Sequence, residues 1–430
     1  MTSPAQTGTP RPGLPLAMPV PPPFPLVGAH FAAGFSWALL GGIGLVVLGP
    51  LLAQGGFLDP RIIGLTHLFT LGWITTVITG VLYQIFPAML GIGARSMRVA
   101  RLSLVLHTAG LAILAVGQTF GQSRLQAAGW VLLFAAVFGT AWNLLPQRRR
   151  APRNRQLGLY VSYGHMGFGL AMALGGARIG DALGWWTTSR VALLSAHFHL
   201  AAGGFATMVL LGVGSRMIPM FLGTDGAGEP AWLESWLRRV LALGTVVFAT
   251  GMIAGLSLLT WAGAVLMAMA VVAVLWRAAG WYRRRSARRL DPSTALLLAG
   301  FTWLGLSLVT GFDALVRGLA KPGVVTSYAV MILLGWLGAS ILAVSYRVLP
   351  NLAWHHRFGA RARQPGTPPP AKMVVPALGW ITAASHTLGL LAMMGGLHRA
   401  NPLMVQSGAA LFALAILSTG VHHIRLMLVK

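Results

Sequence analysis

Of the 430 residues, 56% are hydrophobic and 9% charged, and the mean hydropathy is +0.71, which excludes a chain surrounded by water alone. There is no cysteine, so disulfides, iron–sulfur clusters and thiolate metal sites are excluded too. The formal charge of +25 invites a nucleic-acid reading, but it sorts by loop, as a membrane topology requires.

The chain opens on a Pro-rich arm, 1–23, whose "RPGLPLAMPVPPPFP" lacks the basic, apolar, small order of a cleavable signal. Twelve apolar runs follow, near 24–51, 62–92, 100–119, 126–146, 157–177, 190–223, 237–256, 258–277, 292–313, 326–350, 373–396 and 402–425. A run of about 20 apolar residues spans a bilayer. The expected fold class is all-α: a polytopic membrane protein of twelve transmembrane helices. Most of the basic residues fall in the even-numbered connections and at the termini. Examples are Arg148, Arg149, Arg150, Arg153 and Arg155 after the fourth run and Arg283, Arg284, Arg285, Arg288 and Arg289 after the eighth. The odd connections hold Arg61, Arg124, Arg178, Arg190, Arg317, Lys321 and Arg399. The positive-inside bias places both termini in the cytoplasm of a bacterial-type inner membrane. The charge encodes topology, and no nucleic-acid partner is expected.

The second run, "HLFTLGWITTVITGVLYQIFPAML", is answered by "HLAAGGFATMVLLGVGSRMIPMFL" in the sixth and "VMILLGWLGASILAVSYRVLPNLA" in the tenth. Their first residues are His67, His199 and Val330, spaced by 132 and 131. Gly72, Gly204 and Gly335 recur at one offset, and Pro87, Pro219 and Pro350 at another. Four runs fit each period, which predicts three pseudo-repeats of four helices, 24–156, 157–290 and 291–430. A weaker echo pairs His30 with His165, 135 residues later.

Twelve helices in three arcs, with His near the outer ends of spans two and six, resemble subunit I of the haem-copper oxidases. This resemblance covers nearly the whole chain at the level of topology. "GSRMIPMF" at 214–221 is similar to the Gly-x-Arg-x-Ile-Pro signature of the NnrS family of haem- and copper-containing membrane proteins, and "SYRVLP" at 345–350 to its later Ser-x-Arg motif. The resemblance implies haem, of b type, and copper as cofactors. It implies O2 or nitric oxide, a respiratory electron donor and a partner subunit as partners, and membrane lipid around the chain. Any enzyme activity would be that of an oxidoreductase of the oxidase or nitric oxide reductase type. By position, His67 matches a span-two haem ligand, and His199, with His197, a span-six metal ligand. The chain departs from the pattern at span ten, where Tyr328 and Val330 replace histidines, and at span seven, which has none. An iron held at the span-two position would then keep an open site for carbon monoxide or nitric oxide.

An imidazole at depth in a membrane is costly without a partner, so buried histidines are functional candidates by default. His67, His197 and His199 lie toward the outer ends of their spans. His197 and His199 are about 200° apart on a helix, and His199, matched in the repeat, is the preferred metal ligand with His67. His30, His107 and His165 near inner ends and His386 in mid-span form a second layer of candidate ligands. Arg216 and Arg347 could meet haem propionates bidentately, although snorkelling to the inner interface is the favoured role. His355, His356, His398, His422 and His423 are read as solvated or interfacial. All seven acids lie in loops or at span edges, which disfavours proton pumping. The leading function is a haem-binding, also copper-binding, membrane protein in respiratory or nitric oxide chemistry. A secondary transporter and an assembly factor handling haem or copper stay open.

Overall fold

The computed structural model describes residues 23–428 apart from 151–153, 225–228, 287–289, 319–320 and 363; residues 1–22 of the Pro-rich arm lie outside the described residues. Among those described there are twelve long helices and no strand. They are α1 (Phe24–Ala53), α2 (Pro60–Leu90), α3 (Met97–Thr119), α4 (Ser123–Leu144), α5 (Arg155–Ala182) and α6 (Arg190–Leu222). The chain continues with α7 (Ala231–Ala254), α8 (Ser257–Arg283), α9 (Pro292–Arg317), α10 (Pro322–Arg361), α11 (Pro376–His398) and α12 (Pro402–Leu428). Eleven are long and apolar enough to cross a membrane. The exception, α5, has the length, but its many glycines together with His165, Arg178 and Asp181 lower its hydropathy.

Local chemistry sets the helix ends. Asp59, Ser96, Ser189 and Asp291 accept backbone N–H bonds as N-caps of α2, α3, α6 and α9. Prolines open α2, α9, α10 and α11, where their missing N–H costs nothing. Hydrogen bonds from Arg61 hold the Asp59 carboxyl down at about 2.

Three antiparallel pairs, α3–α4, α7–α8 and α11–α12, pack most extensively, and α1 lies along α12. Each pair is built on glycine. A Cβ on Gly129 would lie 2.5 Å from the Leu114 nitrogen, one on Gly263 2.3 Å from the Phe248 nitrogen, and one on Gly408 2.5 Å from the Gly389 oxygen. Small residues allow such backbone approach, which is how membrane helices gain contact without a hydrophobic drive.

The most buried helices are α2, α6 and α10. Each contains an eight-residue π-helical stretch, Leu68–Thr75, Leu200–Thr207 and Met331–Gly338. Their starts keep the 132 and 131 spacing. The stretch in α10 packs against both others: Trp336 Nε1 donates to Thr207 Oγ1 at 3.1 Å, and Gly338 lies under the Trp73 ring. Outside them, Gly34, Gly164 and Gly300 lie against the carbonyls of Trp73, Phe205 and Trp336.

Those three glycines correct the weaker echo. Gly34 and Gly164 are 130 residues apart, not 135. In this register His30 faces Gly80, and Tyr160 faces the corresponding Gly212. His165 sits deeper, edge-on to Phe205 at 6.1 Å. His30 and His165 are therefore not positional equivalents.

Candidate functional site

His67 and His199 are each the last α-helical residue before a π stretch, as is Val330. A π turn inserts an extra residue and is frequently found at functional sites. His67 Nδ1 donates to Ile63 O at 2.8 Å and His199 Nδ1 to Ser195 O at 2.7 Å. A carbonyl only accepts, so in the neutral ring the proton is fixed on Nδ1 and Nε2 carries the lone pair.

The two rings then find different neighbours. His67 meets His197, with ring centroids 6.2 Å apart and planes at 47°. His197 crosses to α5 and donates Nδ1–H to Ala171 O at 2.8 Å, so its Nε2 is also a lone-pair nitrogen. The Gln118 side chain of α3 lies beside His67. His199 instead turns to α10, where Tyr328 donates its hydroxyl proton to Nε2 across 3.0 Å, with the Phe248 ring 4.2 Å away. His67 thus meets His197, and not the repeat-matched His199 that the sequence favoured as the span-six ligand. The lone pair of His199 is engaged by a phenol, which competes with any metal.

His107 and His386 have another task. His107 Nε2 donates to Leu71 O and His386 Nε2 to Leu334 O, both at 2.9 Å. Leu71 and Leu334 are the fourth residues of their π stretches. Each histidine reaches across from the next helix in the chain, α3 or α11, to a carbonyl within the π stretch. In α6 the matching residue is Gly203, whose carbonyl takes the Met208 N–H. Replacing His386 by Leu should cost about 1–3 kcal/mol, the penalty of a buried acceptor deprived of its donor. His107→Leu should cost less, because Thr76 Oγ1 also donates to Leu71 O at 3.0 Å. Thermal unfolding of both variants in detergent measures the difference.

His30, His107 and His165 line one cavity, together with Thr75, Thr79 and Ser103. Nδ1 of His30 donates to Leu26 O and Nδ1 of His165 to Val161 O, each at 2.8 Å. The cavity measures about 20 Å³, room for a water molecule or two.

Arg216 and Arg347 are both held by carboxylates. Arg216 pairs with Glu234 at 3.1 Å and Arg347 with Asp291, and Arg347 Nε also donates to Ser293 Oγ at 3.3 Å. Protein acids thus already engage both guanidiniums. Glu234 belongs to a larger cluster. Arg277 bridges Glu229 at 2.6 Å and Glu234 at 3.2 Å, while Arg238 donates to Gln156 Oε1 at 2.6 Å and lies over the Tyr160 and Tyr163 rings.

Sequence reasoning missed His422 and His423. Both are buried within α12 rather than interfacial. His422 stacks on Tyr346 at 4.8 Å, and His423 meets the Phe35 ring edge-on at 4.5 Å. None of their four ring nitrogens has a hydrogen-bond partner among the described residues. The i, i+1 spacing near Arg425 reads as a helix end, and only the packing of α12 on α1 and α10 reveals otherwise.

No protein-family model matches the chain, and no curated protein matches it.

Proposed function

We propose that the protein is a haem-binding integral membrane protein in which His67 and His197 would hold the haem, acting in respiratory electron transfer or in nitric oxide and oxygen chemistry. The observation that carries this reading is the pair itself: two imidazoles from different helices, 6.2 Å apart, each with Nδ1–H committed to a backbone carbonyl. Imidazoles on opposite sides of one metal atom stand about 6 Å apart centre to centre, given metal–nitrogen bonds of about 2.0 Å. The fixed tautomer is the one that ligation through Nε2 requires. Two protein donors suit a metal that brings its remaining ligands with it, as haem iron does. Among the described residues no three His, Cys, Asp or Glu side chains gather as a metal site. A bare copper ion would therefore have two protein ligands here, and copper ranks second on imidazole chemistry alone. Haem, when bound, supplies one-electron and gas-binding chemistry. The chain's part is to orient the two rings and to keep them neutral in an apolar setting.

The same reading takes the helices as three four-helix units, on the plan of haem-copper oxidase subunit I and with the motifs of NnrS. The recurring π stretches and the Gly34, Gly164 and Gly300 contacts support it. The arginine-rich end, which also carries both termini, faces the cytoplasm. Two histidine ligands would leave haem iron no open site for a gas, unlike the expectation from Tyr328 and Val330, which favours electron transfer over gas binding.

Expression with haem supplied, followed by purification and a visible spectrum, tests this. The expected result is a six-coordinate Soret spectrum unmoved by carbon monoxide. His67→Ala and His197→Ala should each lose most of the haem, and His398→Ala should keep it. A protein without a Soret band would overturn the proposal, and full haem content in both histidine variants would move the ligands elsewhere.

A further inference from the structure

We propose that the crevice between α6, α8 and α9 is a binding site for one anionic phospholipid of the surrounding membrane. The crevice has a volume of about 310 Å³ and lies at the end of the bundle that carries both termini. Its walls are apolar, with Ile218 and Leu222 from α6, Leu275 from α8, and Leu297 and Phe301 from α9. A groove of this size and lining between membrane helices takes an acyl chain.

The mouth supplies the charge. Tyr282 lines the crevice, and the Arg285 guanidinium lies 3.7 Å from the centre of its ring. Arg285 Nη1 donates to Tyr282 O at 2.8 Å, whereas its Nε is buried with no partner. The next residue, Ser286, donates its N–H to Leu222 O at 3.1 Å, which ties this turn to the end of α6 and fixes the cation at the rim. Arg283 and Arg284 stand exposed beside it. The nearest acid on α9 is Asp291, and its carboxylate is engaged by Arg347, Ser293 and Thr294. Among the described residues no carboxylate meets Arg285. An apolar slot lined by a tyrosine that carries on its ring an arginine without a carboxylate partner among the described residues matches a lipid with a net negative headgroup.

The test is native mass spectrometry of the delipidated full chain, given equal amounts of phosphatidylglycerol and phosphatidylcholine of the same chain length. The wild type should retain one phosphatidylglycerol, preferred by about fivefold, the ratio expected for one basic residue near a membrane surface. Arg285→Gln should bring the two lipids to parity. Leu298→Trp, which fills the groove, should lose both adducts while the protein stays monodisperse. Equal retention of the two lipids by the wild type would overturn the proposal, as would a preference that survives Arg285→Gln. Displacement of the lipid by inorganic phosphate alone would also overturn it, since the site would then bind an anion without the chain.

Discussion

Arg277→Ala should destabilise the protein more than any other single replacement, by about 3–5 kcal/mol. The guanidinium is 7% exposed and lies between two carboxylates that are 15% and 12% exposed. Without it, among the described residues Glu229 keeps no cation, and Glu234 keeps only Arg216 at 3.1 Å. The cost arises from leaving acids uncompensated in a low-dielectric setting, not from the lost attraction alone. Arg277→Met, which preserves much of the packing against Trp281, should therefore be nearly as damaging. Adding Glu229→Gln to Arg277→Met should recover part of the loss. Thermal melts in detergent, followed by circular dichroism, give the ranking. Recovery that fails to appear would mean that packing, not charge, dominates the cluster.

Gly263→Val should have the next largest effect. The first side-chain atom would meet the Phe248 nitrogen at 2.3 Å and its Cα at 2.6 Å, and backbone cannot rotate away as a side chain can. The α7–α8 pair must separate, at a cost of about 1–3 kcal/mol or more. Gly420→Val, where nothing lies within 4 Å, is the matched control. Size-exclusion profiles and melting temperatures of the two variants should diverge sharply; similar behaviour would show that the helix pair can slide.

Much of the architecture was legible in the sequence because hydropathy reports directly on membrane spans, and the observed α1, α6 and α12 begin within a residue of their apolar runs. The spacing of His67, His199 and Val330 located the three most buried helices for a related reason: only small and apolar residues fit where the helices meet. The π stretches were not legible. An extra residue per turn leaves composition unchanged, so neither hydropathy nor periodicity over a short window detects it. That omission explains why His199 was favoured over His197. A helix of 3.6 residues per turn sets His197 and His199 on opposite sides, but which side faces His67 depends on how α2 and α6 pack around their altered turns. The pairs Arg216–Glu234 and Arg347–Asp291 were hidden for a different reason. Each joins residues from different helices, and a single sequence carries no record of which ends meet.

The contact of α1 with α12 closes the bundle into a ring, and it joins segments at opposite ends of the chain: Gln406 Nε2 donates to Val46 O at 3.2 Å, and Gly28 faces the Met427 side chain. The glycine-based pairs are local and can form as soon as each second helix leaves the ribosome, whereas this seam must wait for the final helix. Contacts of such separation form slowly. During synthesis α1 therefore stands with one flank bare to lipid until α12 is made. A chain that stops before α12 would leave that flank, with Val46 O and Gly28, permanently uncovered.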